Sequence, residues 1–508
     1  MRYDYDVIVV GAGNGGLTAA AKISGEGYRT LLLEKHNLPG GVATSFVRGR
    51  FEFECSLHEL CDVGTPEEPG RVRELFAGLG AEVGLVNEKE LFRTIVTGPD
   101  GYDVALSAGW DEFKASFSAA CPGAEKSLDR LEALFKKTDE ALIYNDMKRG
   151  KPNKLKMMMK YGGFLISASH SLDDVLKSLG FRLRERLILE TYWAYLGVPS
   201  DELNAFHYFE MLRGYINGGA GIPLKKSYGL SLALADRVLR NGGEIRYNTP
   251  VTEFIFGDDG RVAGVTAGGD EYRAKFVISN VIPNSVFEMS GADMIPKREL
   301  KLANARTLGL SVVCIYLGLD RTAGELGIRN YSLFISHKAA SRLQYRAENE
   351  IGLYVVNCLN AAVPGATPPG TCSLFFSIPV FSDRMMKNVT PENYRAFKSE
   401  IAGKYIDDYE KVTGIRIKDS IEEISVATPA TFARYFGVPN GTAYGYELSG
   451  WDGVMARSLS RGSELNIPGL AFCGGHSATG DGFGVSYESG IAAAEKAAAD
   501  LKEADRGN

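Results

Sequence analysis

Tyr5-Asp6-Val7-Ile8-Val9-Val10-Gly11-Ala12-Gly13-Asn14-Gly15-Gly16 is the stretch from which the rest of the chain can be read. Its first half is a short, β-branched apolar run closed at once by glycine, the pattern of a strand buried on both faces of a parallel sheet. Gly11, Gly13 and Gly16 then fit G-x-G-x-x-G: a tight turn, a close approach for a pyrophosphate, and tight packing of the next helix on the strand. Asn14 and Gly15 lie in the loop that opens this helix, whose free N–H groups and positive dipole end favour an anion. The helix, about Gly15 to Gly25, is rich in alanine and leads to a second strand, Thr30 to Leu33. That strand ends in Glu34, eighteen residues after Gly16, where a carboxylate can accept both ribose hydroxyls of an adenosine. A dinucleotide site is expected.

The residues that follow favour FAD over NAD. After Lys35 comes His36-Asn37-Leu38-Pro39-Gly40-Gly41, and the paired glycines give backbone freedom where a longer ligand would continue inward. A further βα unit, usual in a simple dehydrogenase, is replaced by the alternating piece Phe51 to Glu59. At the other end, Gly469 to Cys473 reads as a short strand. It is followed by Gly474-Gly475-His476, a polar segment reaching Asp481, and Gly482-Phe483-Gly484. A helix is expected from about Val485, with Ser489-Gly490 and Ala492 to Ala494 small enough to lie tightly on another element or a flat ring. Its amide groups would stabilise negative charge on a reduced flavin.

Together these blocks resemble the phytoene desaturase family of flavoproteins, which includes carotenoid isomerases and retinol saturases. The middle agrees in Tyr228-Gly229, Gly242-Gly243-Glu244-Ile245, Val251 to Ile255 and Val277-Ile278-Ser279-Asn280. The expected fold is α/β: a Rossmann-like FAD-binding domain of glutathione-reductase type (1–90, 224–290 and 465–508) with a discontinuous α+β substrate domain (91–223 and 291–464). The resemblance implies that Val251 contacts the adenine side of FAD through its backbone. Two departures stand out. The family's Phe-Asp-x-Gly-x-His is Phe53-Glu54-Cys55-Ser56-Leu57-His58 here, and its Pro-Gly near the flavin is Gly480-Asp481-Gly482. Both should bring polar groups close to the flavin ring.

Composition narrows the rest. The chain has 508 residues with 45% hydrophobic and 24% charged, ordinary for a folded protein, while 59 glycines (about 12%) exceed the usual ~7%. A net charge of 57 − 63 = −6 argues against nucleic acid as a partner. Seven scattered cysteines without CxxC, and six histidines without paired ligand spacing, indicate neither a disulfide framework nor a metal. The first strand starts too early for a signal peptide, and no 18-residue apolar run occurs, so a cytoplasmic protein is expected, or one touching a membrane from one side. Such a contact would use Lys148 to Lys160, with six basic residues, no acid, and Met157-Met158-Met159.

In the middle of the chain, Asn241 to Asn280 reads as a small meander. Helices are expected around Trp110 to Ala120 and Leu128 to Ile143, and strands around Leu310 to Leu319 and Ile351 to Cys358. Tyr192, Trp193, Tyr195, Phe206, Tyr208 and Phe209 are candidates to line an apolar tunnel, or else ordinary core.

The expected activity is FAD-dependent oxidation or reduction of a carbon–carbon bond in an apolar polyene, isoprenoid or lipid. A redox-neutral isomerase using reduced FAD is the close alternative. Amine oxidation and a non-enzymatic prenyl-protein escort of the same fold are further ones. A proton donor or acceptor is needed beside the flavin, and His58, Glu59, Asp481 and Tyr487, with His476, flank its motifs.

Overall fold

The computed structural model of the protein describes residues 3–148, 152–337, 352–380, 385–453, 457, 465–477 and 482–507. Tyr5–Val10 is the middle of a parallel sheet, with Val7, Ile8 and Val9 fully buried. On one side lie Thr30–Leu33 and then Glu244–Arg246. On the other lie Asp270–Ser279 and then Leu470–Phe472. The helices Asn14–Gly25, Lys226–Arg240 and Phe483–Gly507 bury apolar stripes against this sheet and one another.

Asp270–Ser279 serves two pairings along one strand. Its first part pairs antiparallel with Val262–Ala267, which in turn pairs with Val251–Phe256. Its second part runs parallel to Tyr5–Val10, Ala274 facing Tyr5 and Ser279 facing Val10. The turns expected in this region are made by glycines in left-handed conformation, Gly260 (φ 75°) and Gly268-Gly269 (φ 61° and 93°). The expected meander is shorter than Asn241 to Asn280, however. Glu244–Arg246 pairs parallel with Thr30–Leu33, because the helix Lys226–Arg240 supplies the crossover that returns the chain in the same direction.

The second sheet has seven strands in the order Ile421–Ala427, Ser311–Leu319, Cys372–Val380, Tyr354–Cys358, Ser332–Ser336, Glu90–Val96, Tyr102–Ser107. All neighbours are antiparallel except Ser332–Ser336 with Glu90–Val96. One of its faces packs on the helix Tyr394–Thr413. The other receives the hairpin Ser45–Arg48/Phe51–Glu54, whose Phe51 and Phe53 pack with Cys314, Tyr316 and Phe375. Helices between Trp110 and Gly218, including Trp110–Ala120 and Glu125–Met147, form an aromatic-rich core beside this sheet.

Candidate active site

Two turns from early in the chain and one from late in it meet above the parallel sheet. Gly11 turns at φ 90°, and a Cβ at Gly16 would overlap the Gly11 carbonyl. Gly40 (φ 115°) donates its N–H to Ala12 O at 2.7 Å, laying the second glycine pair along the first loop, and Gly41 follows at φ 60°. Gly474 (φ 97°) donates to Ser489 Oγ at 2.8 Å and sits so close to Gly15 that a Cβ there would lie 2.6 Å from its nitrogen.

At the centre is Asn280, to which the sequence reading gave no role. Its N–H donates to Val10 O at 2.8 Å, and its amide blocks any side chain at Gly13, Gly15 or Gly474. The available signal was a polar residue at the carboxyl end of the strand beside Tyr5–Val10, where open α/β sheets bind ligands. Among the described residues, the buried Asn14 Oδ1 has no partner, and it sits at the helix N-terminus of this cradle. Tight backbone turns, an oriented helix end and an unspent polar atom fit a dinucleotide of the flavin type.

Glu34, nearly buried, accepts the N–H of Ala12 at 2.7 Å and of His36 at 2.8 Å. One carboxylate therefore ties the glycine loop to the second strand, and both oxygens keep lone pairs for a ribose. Thr249 N–H donates to Glu34 O at 2.9 Å, which sets the start of Val251–Phe256 close to the same corner. Lys35 points its ammonium towards Gly437, and burial lowers its pKa. Gly475 packs against the Tyr444 carbonyl, a Cβ there standing 3.2 Å from it. The last helix begins at Phe483, so Gly482 (φ 93°) precedes it while Gly484 and Val485 form its first turn. Asp481 lies outside the described residues.

The segment after Phe51–Glu54 runs between the two sheets. Glu54 accepts the N–H groups of Ser56 (3.1 Å), Leu57 (3.0 Å) and Ser227 (2.7 Å) and the Ser227 hydroxyl (2.6 Å). This pins the segment against the helix Lys226–Arg240. The Ser56 hydroxyl donates to Val42 O at 2.8 Å.

His58 Nε2 and Ser377 Oγ are 2.6 Å apart, and the ring packs on Tyr195 and Phe375 with centroids 5.0 and 5.2 Å away. Burial pushes its pKa down to about 4, so the imidazole is neutral. Tyr331 donates its hydroxyl to His58 O. Glu59 is buried next to it, with Oε2 accepting Ser332 Oγ–H at 3.0 Å, and burial drives its pKa up to about 8. Two adjacent residues are thus uncharged near neutral pH, in a junction built from both sheets.

His476 is also buried and neutral, its pKa lowered to about 3 by burial and by the Arg306 and Arg457 cations. Those two guanidiniums share the Asp452 carboxylate, Arg306 Nε at 3.1 Å and Arg457 Nε at 2.9 Å. Tyr487 lies in the apolar core beneath the parallel sheet, edge-on to Phe76, with its hydroxyl unpartnered among the described residues. The structure brings His58 and Glu59 together and places His476 beside Gly445, on a separate wall.

Of the aromatic candidates, Tyr195 faces His58. Tyr192 and Tyr208 are core residues whose hydroxyls donate to Leu91 O and Leu189 O, and Phe206 packs on Phe164. In the basic segment, Lys154–Lys160 is a short helix that buries Met157 and leaves Met158 and Met159 66% and 80% exposed. Residues 149–151 lie outside the described ones. Among the described residues, no helix is long and apolar enough to cross a membrane.

Residues 9–79 match the family description of an NAD(P)-binding Rossmann-like domain. The chain is 26% identical to the all-trans-retinol 13,14-reductase of Danio rerio, over 87% of this chain and 77% of that one. It is 23% identical to the chloroplastic prolycopene isomerase of Arabidopsis thaliana, over 98% of this chain and 83% of that one. Among solved structures, an oxidoreductase from Methanosarcina mazei superposes with a TM-score of 0.65 at 19% identity, covering 96% of this chain and all of that one.

Proposed function

We propose that this chain, a relative of the all-trans-retinol 13,14-reductases and prolycopene isomerases, is an FAD-dependent enzyme acting on a carbon–carbon double bond of an apolar polyene, and that it reduces that bond. The observation that carries the reading is a cradle of glycine turns tied, through Ser56 Oγ–H on Val42 O, to the segment on which His58 and Glu59 are buried and uncharged beside aromatic rings. FAD, when bound, supplies hydride exchange at its flavin ring. The residues of the chain supply the rest. Gly13, Gly15 and Asn280 hold the pyrophosphate, and Glu34 the ribose. Tyr195, Phe375 and the neutral His58 ring exclude water and offer flat surfaces to a conjugated chain. The exposed methionines and lysines of Lys154–Lys160 support a peripheral contact with anionic lipid, the phase in which an oily substrate is dissolved.

The test is an anaerobic absorbance scan of the purified protein with NADPH and then a conjugated polyene such as all-trans-retinol. The expected result is a flavin band that bleaches, then recovers as the polyene loses conjugation. A polyene that keeps its conjugation but changes geometry would replace reduction by isomerisation. Protein that binds no FAD would overturn both.

A further inference from the structure

The Glu59 carboxyl has two oxygens in different situations. Asn357 Nδ2 donates to Ser332 Oγ at 2.7 Å, and Ser332 Oγ–H donates onward to Glu59 Oε2 at 3.0 Å. The serine's single proton is therefore spent on Oε2. Glu59 Oε1 is buried and has no partner among the described residues, and the same is true of Tyr195 OH and Asn357 Oδ1. When a carboxyl accepts at one oxygen, its own proton sits on the other. Here that places an O–H at Oε1 that makes no hydrogen bond among the described residues, although the Tyr195 hydroxyl is close by, which a buried donor tolerates only at a free-energy cost or at a site awaiting a partner.

Burial favours the protonated form of this carboxyl and outweighs the facing Ser332, Tyr192 and Tyr195 hydroxyls, which pull the other way. Tyr192, Tyr195 and Tyr215 approach from the helical cluster, and Tyr331, Ser332 and Asn357 from the second sheet. His58 beside it is neutral, and the one charged group acting on it at longer range is another carboxylate, Glu88. Among the described residues no cation stands near to hold Glu59 ionised, and burial raises its pKa to about 8. Ser56 Oγ–H bonded to Val42 O keeps the segment carrying Glu59 against the turn that follows Gly40-Gly41.

We propose that Glu59 is the general acid of this site, delivering its Oε1 proton to the carbon adjacent to the one that takes the hydride. The inference rests on the reading of the site as a flavin-dependent double-bond reductase. In the step, one alkene carbon gains hydride from the reduced flavin, which is thereby oxidised. The π pair moves to the neighbouring carbon and takes the Glu59 proton, forming the second C–H bond. Glu59 is left as a carboxylate that still accepts from Ser332, with the Tyr195 hydroxyl at hand as a further donor, until solvent reprotonates it. The alkene gains two hydrogens and two electrons: the flavin gives up a hydride, and Glu59 gives up a proton.

Glu59→Gln keeps the acceptor for Ser332 and removes the acid. In the holoenzyme near neutral pH, the infrared spectrum should contain a protonated-carboxyl stretch that this variant lacks, a readout needing neither substrate nor turnover. In single turnover, Glu59→Gln should slow polyene reduction by at least about 100-fold while leaving flavin reduction by NADPH within about threefold. Should that variant not fold, Glu59→Asp carries the test, with the band retained but shifted and reduction slowed by at least about tenfold. A spectrum unchanged by Glu59→Gln, or reduction within about threefold of wild type in the folded variant, overturns the proposal. A wild-type holoenzyme that reduces no polyene overturns instead the functional reading on which it rests, and the infrared band tells the two failures apart.

Discussion

Glu34 joins two backbone N–H groups across the glycine loop, so under the proposed function cofactor affinity and local rigidity depend on the same carboxylate. Hydrogen bonds to a charged group are worth about 1.5–3 kcal/mol. Glu34→Gln should therefore weaken FAD binding roughly 10- to 100-fold by flavin-release titration. Unchanged retention would remove the ribose role. Other buried groups set the pH response. Glu59 and Glu190 are raised to about 8 and Glu210 to about 7 from 4.5, while His58 and His207 fall to about 4 and His476 to about 3 from 6.5, burial being the first cause in each. What each carboxyl contributes is complete below pH 4.5 and lost as pH rises through its folded value. What each imidazole contributes is complete above pH 6.5 and lost as pH falls through its own. These six groups cancel between 4.5 and 6.5, and above 6.5 only the carboxyls act, each costing at most about 1.4 kcal/mol per pH unit. Urea midpoints of the holoprotein should fall between pH 6.5 and 8, and Glu59→Gln should make that fall shallower; parallel curves would contradict the assignment.

At the scale of elements, the crossing of Asn14–Gly25 and Phe483–Gly507 is the tightest helix contact in the cradle. A Cβ at Gly490 would overlap the Gly15 carbonyl oxygen and lie 2.8 Å from Thr18 Cβ. Gly490→Val should destabilise the protein by roughly 1–3 kcal/mol, as overpacking does, and loosen FAD as Gly474 is carried away from Gly15. A urea midpoint equal to wild type would mean the helices can part without cost. This contact was legible in the small-residue run Ser489-Gly490 with Ala492 to Ala494, because helix packing leaves a local mark. The strand–turn–helix from Tyr5 to Gly25 was legible for the same reason. The surroundings of Glu59 were not, since Ser332 reaches it across 273 positions and Asn357 reaches Ser332 only after the second sheet pairs its strands. Likewise the bond from Ser56 to Val42 O appears only once the chain between them has folded. Sequence pattern shows which face of an element is apolar, but not which polar atoms two elements bring into contact.

On the whole molecule, the parallel sheet carries the dinucleotide cradle, the mixed sheet closes over it, and the helical cluster bears the exposed methionines. If Lys154–Lys160 is the part that meets lipid, replacing Lys154, Lys156 and Lys160 with Ser should lower cosedimentation with anionic vesicles. Replacing Met158 and Met159 with Ser should lower it further, at unchanged FAD content. Binding indifferent to both changes would leave that surface without a role.

The meeting of Gly13, Asn280 and Gly474 also bears on how the protein is made. A ribosome delivers the first glycine loop long before the turn that completes its cradle, and the strand Leu470–Phe472 is added only near the end. The far edge of Tyr5–Val10 stays unpaired until Asp270–Ser279 is made, and the far edge of that strand until Leu470–Phe472 arrives, each exposed meanwhile to aggregation and to chaperones. A cofactor held by all three would therefore bind only after segments far apart along the chain have come together.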